Sequence, residues 1–167
     1  MKIVLKVAGA IIACVIVALV VLSITGLDPS QRRPGLWLKG DVAATLPADW
    51  AFADKYQTLM VETHPWYLVP HSVTIFFVTD QGNLYLHADY PPGLKFPGGK
   101  SWITSVARNP TVRVKMGNQV FDGKVALVTD RVEYDALFEA FRAKYPKSPY
   151  SDDGRRSQVD FLHLLPG

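Results

Sequence analysis

The most hydrophobic part of the chain comes first. Residues 7–27 carry no charged side chain, and the apolar run Val7–Ile24 is long enough to cross a bilayer as a helix. The basic start MKIVLK suits a signal peptide, but the run exceeds the usual signal-peptide core of about 7–15 residues, and no small-x-small cleavage site follows. The pattern therefore predicts an uncleaved anchor over residues 1–27, with the membrane contacted through residues 7–24.

Charges near the anchor bear on its orientation. Lys2 and Lys6 precede the apolar run, whereas Arg32, Arg33 and Lys39 follow it, so the positive-inside rule favours neither side. A short N-terminal tail before a single anchor usually stays in the cytoplasm. We therefore expect a single-pass membrane protein whose domain lies on the periplasmic, extracytoplasmic side.

Beyond the anchor, the polar and proline-containing segment 28–35 is typical of a linker. We predict one domain over residues 36–167. Residues 36–63 mix apolar and polar positions without a clean period, and a short helical turn is expected to begin near Pro47 and Asp49.

The pattern becomes regular from His71 onward. Two runs rich in β-forming residues, at 73–79 and 84–88, are separated by the turn sequence DQGN with Gly82, which predicts a hairpin. Leu84 and Leu86 alternate with polar neighbours, as in a half-buried strand.

Later segments repeat this alternation of strand and helix signals. Apolar positions 102, 103, 106 and 107 predict a helix over 101–108, capped by Ser101 and ended by Asn109-Pro110. TVRVKM and residues 120–128 form a second hairpin around Gly117-Asn118. A helix over 131–145 follows, then a polar loop over 147–158 and a last strand, VDFLHLL. The apolar face of that helix comprises Val132, Leu137, Phe138, Phe141 and Tyr145.

This order, with sequential strands joined by short turns and few helices, predicts a mainly β fold: a small β-barrel with flanking helices. Hydrophobic residues at 49% suffice for a core. The lone Cys14 excludes an intrachain disulfide and a cysteine-based metal site. Two lysines before the anchor account for most of the net charge of +3, so the domain lacks a nucleic-acid footprint and we expect no such partner.

The stretch FPGGKSW, residues 96–102, carries the clearest candidate chemistry. Glycines allow close approach of the backbone to a ligand, Lys100 supplies a charge suited to phosphate, and the predicted helix begins directly afterwards. Helix N-termini favour anions. The alternative is an ordinary surface turn, and a tryptophan such as Trp102 is more often a core residue than the wall of a cofactor site.

PHSVTIFFVTDQGNLYLHADY, followed by GGKSWITSVARNPTVRVKMGNQVFDGKVALVTD, a helix and a strand, resembles the flavin split-barrel superfamily over residues 70–166. Pyridoxamine 5'-phosphate oxidase and the deazaflavin-dependent reductases belong to it. The resemblance implies a split barrel of the FMN-binding type, FMN or a deazaflavin as cofactor, oxidoreductase activity on a small molecule, and a homodimer. It also implies that the cofactor-binding residues are His71, Ser72, Thr74, His87, Asp89, Gly99, Lys100, Ser101 and Trp102.

The sequence departs from the oxidase pattern in two ways: HSVTIF has no arginine, and Gly-Gly-Lys replaces a Ser-Arg-Lys run. A cofactor-free or haem-binding barrel that acts as a ligand-binding or structural module therefore stays open. So does a two-histidine metal or haem site formed by His71 and His87. No catalytic acid, base or nucleophile is recognisable, and the absence of a G-x-S-x-G motif argues against hydrolysis.

Overall fold

The computed structural model describes residues 2–30, 33–67 and 69–167. Its three helices are α1 (Lys2–Thr25), α2 (Ser101–Arg108) and α3 (Arg131–Lys144). The strands are β1 (Asp41–Val42), β2 (Leu59–Thr63), β3 (His71–Ile75), β4 (Phe77–Asp80), β5 (Asn83–Asp89), β6 (Thr111–Met116), β7 (Gln119–Leu127) and β8 (Val159–Leu165). Short 3-10 helices span Ala51–Lys55, Pro149–Ser151 and Asp153–Gln158.

α1 contains the predicted apolar segment. Its residues 3–25 have a mean hydropathy of 3.1, and none of the most apolar stretch is buried against the rest of the chain. By length and composition α1 can cross a membrane, a property that signal sequences share.

All eight strands belong to one sheet. Its order is β3-β2-β6-β7-β8-β5-β4, antiparallel throughout, and β1 adds a short parallel pairing to β7. The two outermost strands, β3 and β4, are joined by a single residue, Phe76, whose carbonyl accepts a hydrogen bond of 3.1 Å from the backbone N–H of His87 on β5. One continuous chain segment therefore supplies both edges, and the sheet curls into a half-barrel, in line with the predicted split barrel.

Most predicted elements are confirmed, including the hairpin at Gly82 and both long helices. The expectation of one strand over 73–79 was wrong, because barrel closure requires the chain to leave β2 and pair with β5 at Phe76. The prediction that residues 84–88 form a half-buried strand was also wrong, because Tyr85 and His87 are as buried as Leu84. α3 covers that face of β5 from outside the barrel.

Three smaller expectations need correction. Ser101 is the first residue of α2 and not its cap; Lys100 occupies the cap position, without a side-chain hydrogen bond. Val132 is 78% exposed, because the first turn of α3 contacts the sheet through Glu133 and Tyr134 instead, whereas the other four residues of the predicted apolar face are buried. The loop over 147–158 contains two 3-10 helices, whose starts are capped by Ser148 and Asp152.

The core consists of two clusters separated by the sheet. The first fills the barrel, and α2 closes it with Trp102, Ile103 and Val106. The second lies between the sheet and α3. Its buried members are Val78, Tyr85, Val128, Leu137, Phe138, Phe141, Tyr145, Val159 and Phe161.

The segment that follows α1 packs against the barrel. The backbone N–H of Leu27 donates to the carbonyl of Trp37 at 2.9 Å, and Leu36 N–H donates to Leu27 at 2.8 Å. Gly35 and Ser72 exchange two backbone hydrogen bonds of 2.8 and 3.0 Å. The segment that follows α1 thus forms a β-bridge with the outer edge of β3. The division into linker and domain at residues 35 and 36 stays a prediction.

Glu62 is a buried charge beneath this segment. Only 3% of the residue is exposed, and its Oε2 accepts a hydrogen bond of 2.6 Å from the backbone N–H of Leu38. Burial raises the pKa of Glu62 above its ordinary value, against the opposing effects of the Leu38 hydrogen bond and of Arg113. The ionised carboxylate is therefore less favourable here than in the unfolded chain.

This burial predicts a pH dependence. A carboxyl pKa that is raised in the folded state gives stability that is complete below the unfolded pKa and is lost as pH rises through the folded pKa. We expect wild type to lose stability relative to Glu62→Gln as pH rises above about 4.3, because glutamine keeps an acceptor for Leu38 but carries no charge. Urea unfolding across this pH range measures the difference, and parallel curves for the two proteins would contradict the assignment.

Candidate functional site

A groove of about 520 Å³ opens between β3, the start of α2 and the segment that follows α1. Its walls combine cations, hydroxyls and an imidazole with apolar side chains. The lining residues are Arg33, Pro34, His71, Val73, Thr74, Ile75, Lys100, Ser101 and Trp102. Five of the nine predicted cofactor-binding residues are thus brought together: His71, Thr74, Lys100, Ser101 and Trp102.

The groove exists because β3 is an edge strand. β2 pairs with one of its sides, and on the other side, among the described residues, only Ser72 is paired, through Gly35. Beyond that bridge the edge of β3 is open, and α2 begins across the gap. Gly99, with φ of +86°, turns the chain directly before Lys100 and Ser101. Few residues other than glycine adopt this backbone conformation readily.

The charge of the groove is a small positive excess. The ammonium of Lys100 lies 2.6 Å from Oδ2 of Asp89, and Lys100 is 48% exposed while Asp89 is 17% exposed. Arg33 adds a second, solvent-exposed cation to the lining. Two cations and one carboxylate leave a formal charge of about +1, which favours an anionic ligand.

His71 contributes an unused polar atom. Its Nδ1 is buried and has no hydrogen-bond partner, and burial lowers the pKa of its imidazole. The ring is therefore neutral near pH 7 and presents a nitrogen that can donate or accept. A buried polar atom without a partner is uncommon in native structures, and a bound molecule is one explanation.

His87 lies in a different environment. Its ring stacks on Phe141 with centroids 4.1 Å apart and planes at 6°, and only 1% of the residue is exposed. Burial lowers the pKa of His87 to about 4. Among the described residues, neither ring nitrogen has a hydrogen-bond partner. β5, which carries it, pairs with β4 and β8 and not with β3. The hypothesis of a joint site with His71 therefore receives no support, and residues 2–30, 33–67 and 69–167 contain no cluster of three metal-ligating side chains.

Three further predicted residues do not line the groove. Ser72 is fully buried opposite Glu62 on β2, because the segment that contains Gly35 packs directly over it. Asp89 reaches the groove only through its ion pair with Lys100. Gly99 faces Tyr90, whose Cδ1 lies 3.3 Å from the position of an added Cβ.

Sequence reasoning missed four lining residues. Val73 and Ile75 share the i, i+2 spacing of His71 along β3, and that periodicity was the signal that could have found them. Arg33 and Pro34 come from the segment regarded as a linker, and no local pattern marks them. Arg33 supplies a cation to the groove, whereas β3 itself contains no arginine.

No protein-family model matches the sequence, and no curated protein matches it either. Several solved structures, however, are similar to this chain in fold. A conserved hypothetical protein from Mycobacterium tuberculosis superposes with a TM-score of 0.53 at 16% identity, over 75% of this chain and 85% of its own. A provisionally described 5-nitroimidazole antibiotic resistance protein from Bacteroides thetaiotaomicron gives 0.51 at 19%, over 81% and 88%. A provisionally described pyridoxamine 5'-phosphate oxidase from Listeria innocua gives 0.50 at 18%, over 70% and 88%.

The chain has the split-barrel fold. The resemblance predicted from residues 70–166 is confirmed at this level, and so is a mainly β architecture with flanking helices behind one N-terminal apolar helix. These similarities are too distant to carry function across, so the chemistry of this split barrel must be argued from its own groove.

The residues of the groove fit a planar cofactor that carries a phosphate. Lys100 and Arg33 supply charge, and Ser101 and Thr74 supply hydroxyl donors. The apolar walls of the groove provide surface for a ring; they consist of Val73, Ile75 and Trp102. The unpartnered Nδ1 of His71 offers a specific hydrogen bond to a ring nitrogen or oxygen. This split barrel therefore retains the elements of such a site, with one opposing element, the carboxylate of Asp89.

Proposed function

We propose that this protein is a membrane-anchored split-barrel oxidoreductase that binds FMN or a deazaflavin in the groove between β3 and α2. The observation that carries the proposal is the convergence of His71, Thr74, Lys100 and Ser101, from two separate segments, on one groove with Arg33. The three structural neighbours share the fold at 16–19% identity, so the groove is the main support for the cofactor.

Each residue has a role in this proposal. Lys100 and Arg33 attract the phosphate, while Ser101 and the first backbone N–H groups of α2 fix its position. His71 holds an edge of the ring, and Trp102 excludes water from one side. A bound flavin or deazaflavin supplies the hydride chemistry. The chain's own part is binding and orientation, which agrees with the lack of a recognisable catalytic acid or base.

A homodimer that takes a small-molecule substrate completes the proposal. The open edge of β3 leaves one side of the groove to solvent, where a second subunit and a substrate have access. One structural neighbour, 20% identical with a TM-score of 0.51, is described as a domain-swapped dimer. Sedimentation of the detergent-solubilised protein at several concentrations tests the assembly.

The cofactor proposal predicts opposite effects at two paired residues. Lys100→Ala should weaken FMN or deazaflavin binding by about tenfold, the value of one charge-assisted hydrogen bond. Asp89→Asn should tighten it, because it removes the carboxylate that competes for the Lys100 ammonium. Fluorescence titration measures both. Lys124→Ala, which removes an exposed lysine of β7 outside the groove, is the control. Equal affinities in all four proteins would contradict the site.

The ion pair between Lys100 and Asp89 favours one alternative, a cofactor-free or haem-binding barrel that serves as a ligand-binding module. At 2.6 Å the carboxylate already satisfies the lysine. Absence of any uptake of FMN, FAD or deazaflavin at saturating concentration would support the module. If haem is bound instead, His71 is the accessible candidate ligand, and His71→Ala should shift the main absorption band of the haem.

The anchor proposal predicts that removal of residues 1–26 yields a soluble and folded protein. α1 buries none of its apolar stretch against the domain, and a chain that begins at Leu27 retains the hydrogen bond to Trp37. We expect the truncated protein to unfold at the same temperature as the full chain in detergent. An insoluble or unfolded product would show that α1 packs on the barrel. The proposed extracytoplasmic location is tested by protease protection of intact cells.

A further inference from the structure

An exposed aromatic pair lies beside the groove. Trp66 is 82% exposed, the highest value for any large hydrophobic side chain among the described residues, and its neighbour Tyr67 is 47% exposed. Their rings pack edge to face with centroids 5.6 Å apart. A single exposed hydrophobic residue is ordinary, but adjacent exposed tryptophan and tyrosine form a surface suited to a partner.

The pair lies close to the end of α1. Trp66 and Tyr67 belong to the connection between β2 and β3, and His64 and Pro70 at the two ends of this connection line the same cleft as Trp37. Trp37 in turn accepts the backbone hydrogen bond of Leu27, two residues after α1 ends. The connection that carries the aromatic pair and the segment that follows α1 therefore border the same cleft.

The exit of α1 is held in place. Gly26 has φ of +79°, and a Cβ added there would lie 2.9 Å from the carbonyl oxygen of Trp37. The backbone thus packs directly on the segment that borders the aromatic loop. If α1 enters a bilayer, the loop lies on the side of the domain that faces this bilayer, because it borders the cleft that Trp37 shares with the segment after α1.

We infer that Trp66 and Tyr67 form a second membrane contact, in the headgroup region of the leaflet that α1 enters. This inference rests on the proposed anchoring and is independent of the cofactor. Tryptophan and tyrosine favour this region because each ring has an apolar body and a polar edge. α1 keeps the loop at high effective concentration near the lipid, so two aromatic residues are enough for an occupied contact.

The contact brings the cofactor groove to the membrane surface. A smaller cavity of about 220 Å³ is lined by Trp66, Tyr67 and Arg108 and shares His71 and Ser101 with the groove. Arg108 would then face lipid phosphates, which attract juxtamembrane cations. Such a groove would also be accessible to molecules that dissolve in the bilayer or lie at its interface.

Fluorescence of the full chain in nanodiscs tests the contact. The four tryptophans are at positions 37, 50, 66 and 102, and α1 contains none. Phosphatidylcholine brominated on its acyl chains should quench part of the emission of wild type. In Trp66→Phe most of this quenching should be lost, since Trp66 is the tryptophan that the inference places at the interface. Trp50→Phe, which removes a tryptophan that is 3% exposed, should not lower the quenched fraction.

Cys14 separates the two possible failures, because it is the only cysteine and lies within α1. Protection of Cys14 from a water-soluble maleimide reports insertion of α1 without reference to Trp66. If Cys14 reacts, the anchoring fails and the inference falls with it. If Cys14 is protected and wild type and Trp66→Phe are quenched equally, the aromatic contact alone is overturned. Loss of self-association in Trp66→Phe without lipid quenching would identify a protein interface and would also overturn it.

Discussion

Phe141→Ala should destabilise the protein by about 3–5 kcal/mol, the usual cost of removing a phenylalanine from a core. Phe141 is fully buried, and its ring stacks on His87 and packs against Tyr145 and Phe161. The cavity would lie at the centre of the cluster that fixes α3 to the sheet. Urea unfolding monitored by circular dichroism measures the change.

Two controls make this result specific. Phe141→Leu keeps most of the volume and should cost less than about 1.5 kcal/mol. The alanine variant should also raise the pKa of His87 from about 4, because burial is the main cause of its depression and the cavity admits water. A loss below 1 kcal/mol in Phe141→Ala would show that α3 contributes little to the stability of the barrel.

Gly35→Ala should destabilise the protein by about 1–3 kcal/mol and weaken cofactor binding, since overpacking against backbone has few routes of relief. A Cβ at position 35 would meet the carbonyl oxygen of Leu27 and would lie 2.6 Å from both Pro29 N and the Ser72 Oγ. The methyl group must push the segment away from β3. The backbone N–H of Ser72, which donates to Gly35 at 3.0 Å, should then exchange faster with deuterium.

Gly154→Ala is the matched control for Gly35→Ala. Its added Cβ would find no atom closer than 3.5 Å, so we expect little change in stability or in exchange at Ser72. If Gly35→Ala unfolds like wild type and keeps its exchange rates, the segment after α1 does not hold the edge of β3. The contribution of Arg33 to the groove would then lose its structural basis.

Local patterns predicted the elements that depend on neighbours in sequence. The hairpin turn at Gly82, where Gln81 and Gly82 both have positive φ, follows from residue type. α3 was recognisable from its period, and the Asp130 side chain caps it by accepting from Glu133 N–H. Leu59–Thr63 was missed because both faces of this strand are covered, so Glu62 is buried at a position where alternation suggests solvent.

The candidate site was predictable in part for the same reason. Lys100 and Ser101 are adjacent to a glycine turn, and His71 and Thr74 lie on one strand, so residue type and resemblance located them. Arg33 could not be found this way, since only the packing of its segment against β3 brings it to the groove. Nothing local distinguishes His71, beside the groove, from His87, which α3 covers.

The sequence by itself determined the apolar helix, the mainly β composition, the turns, and the candidate chemistry of residues 96–102, because each depends on side chains within a few positions of one another. Only the tertiary structure decided that residues 71–80 divide between two partners at Phe76 to close the barrel, and which side chains meet in the groove. The physical reason is that pairing and burial depend on distant segments: β2 covers one side of β3, the segment after α1 covers part of the other, and α3 covers β5.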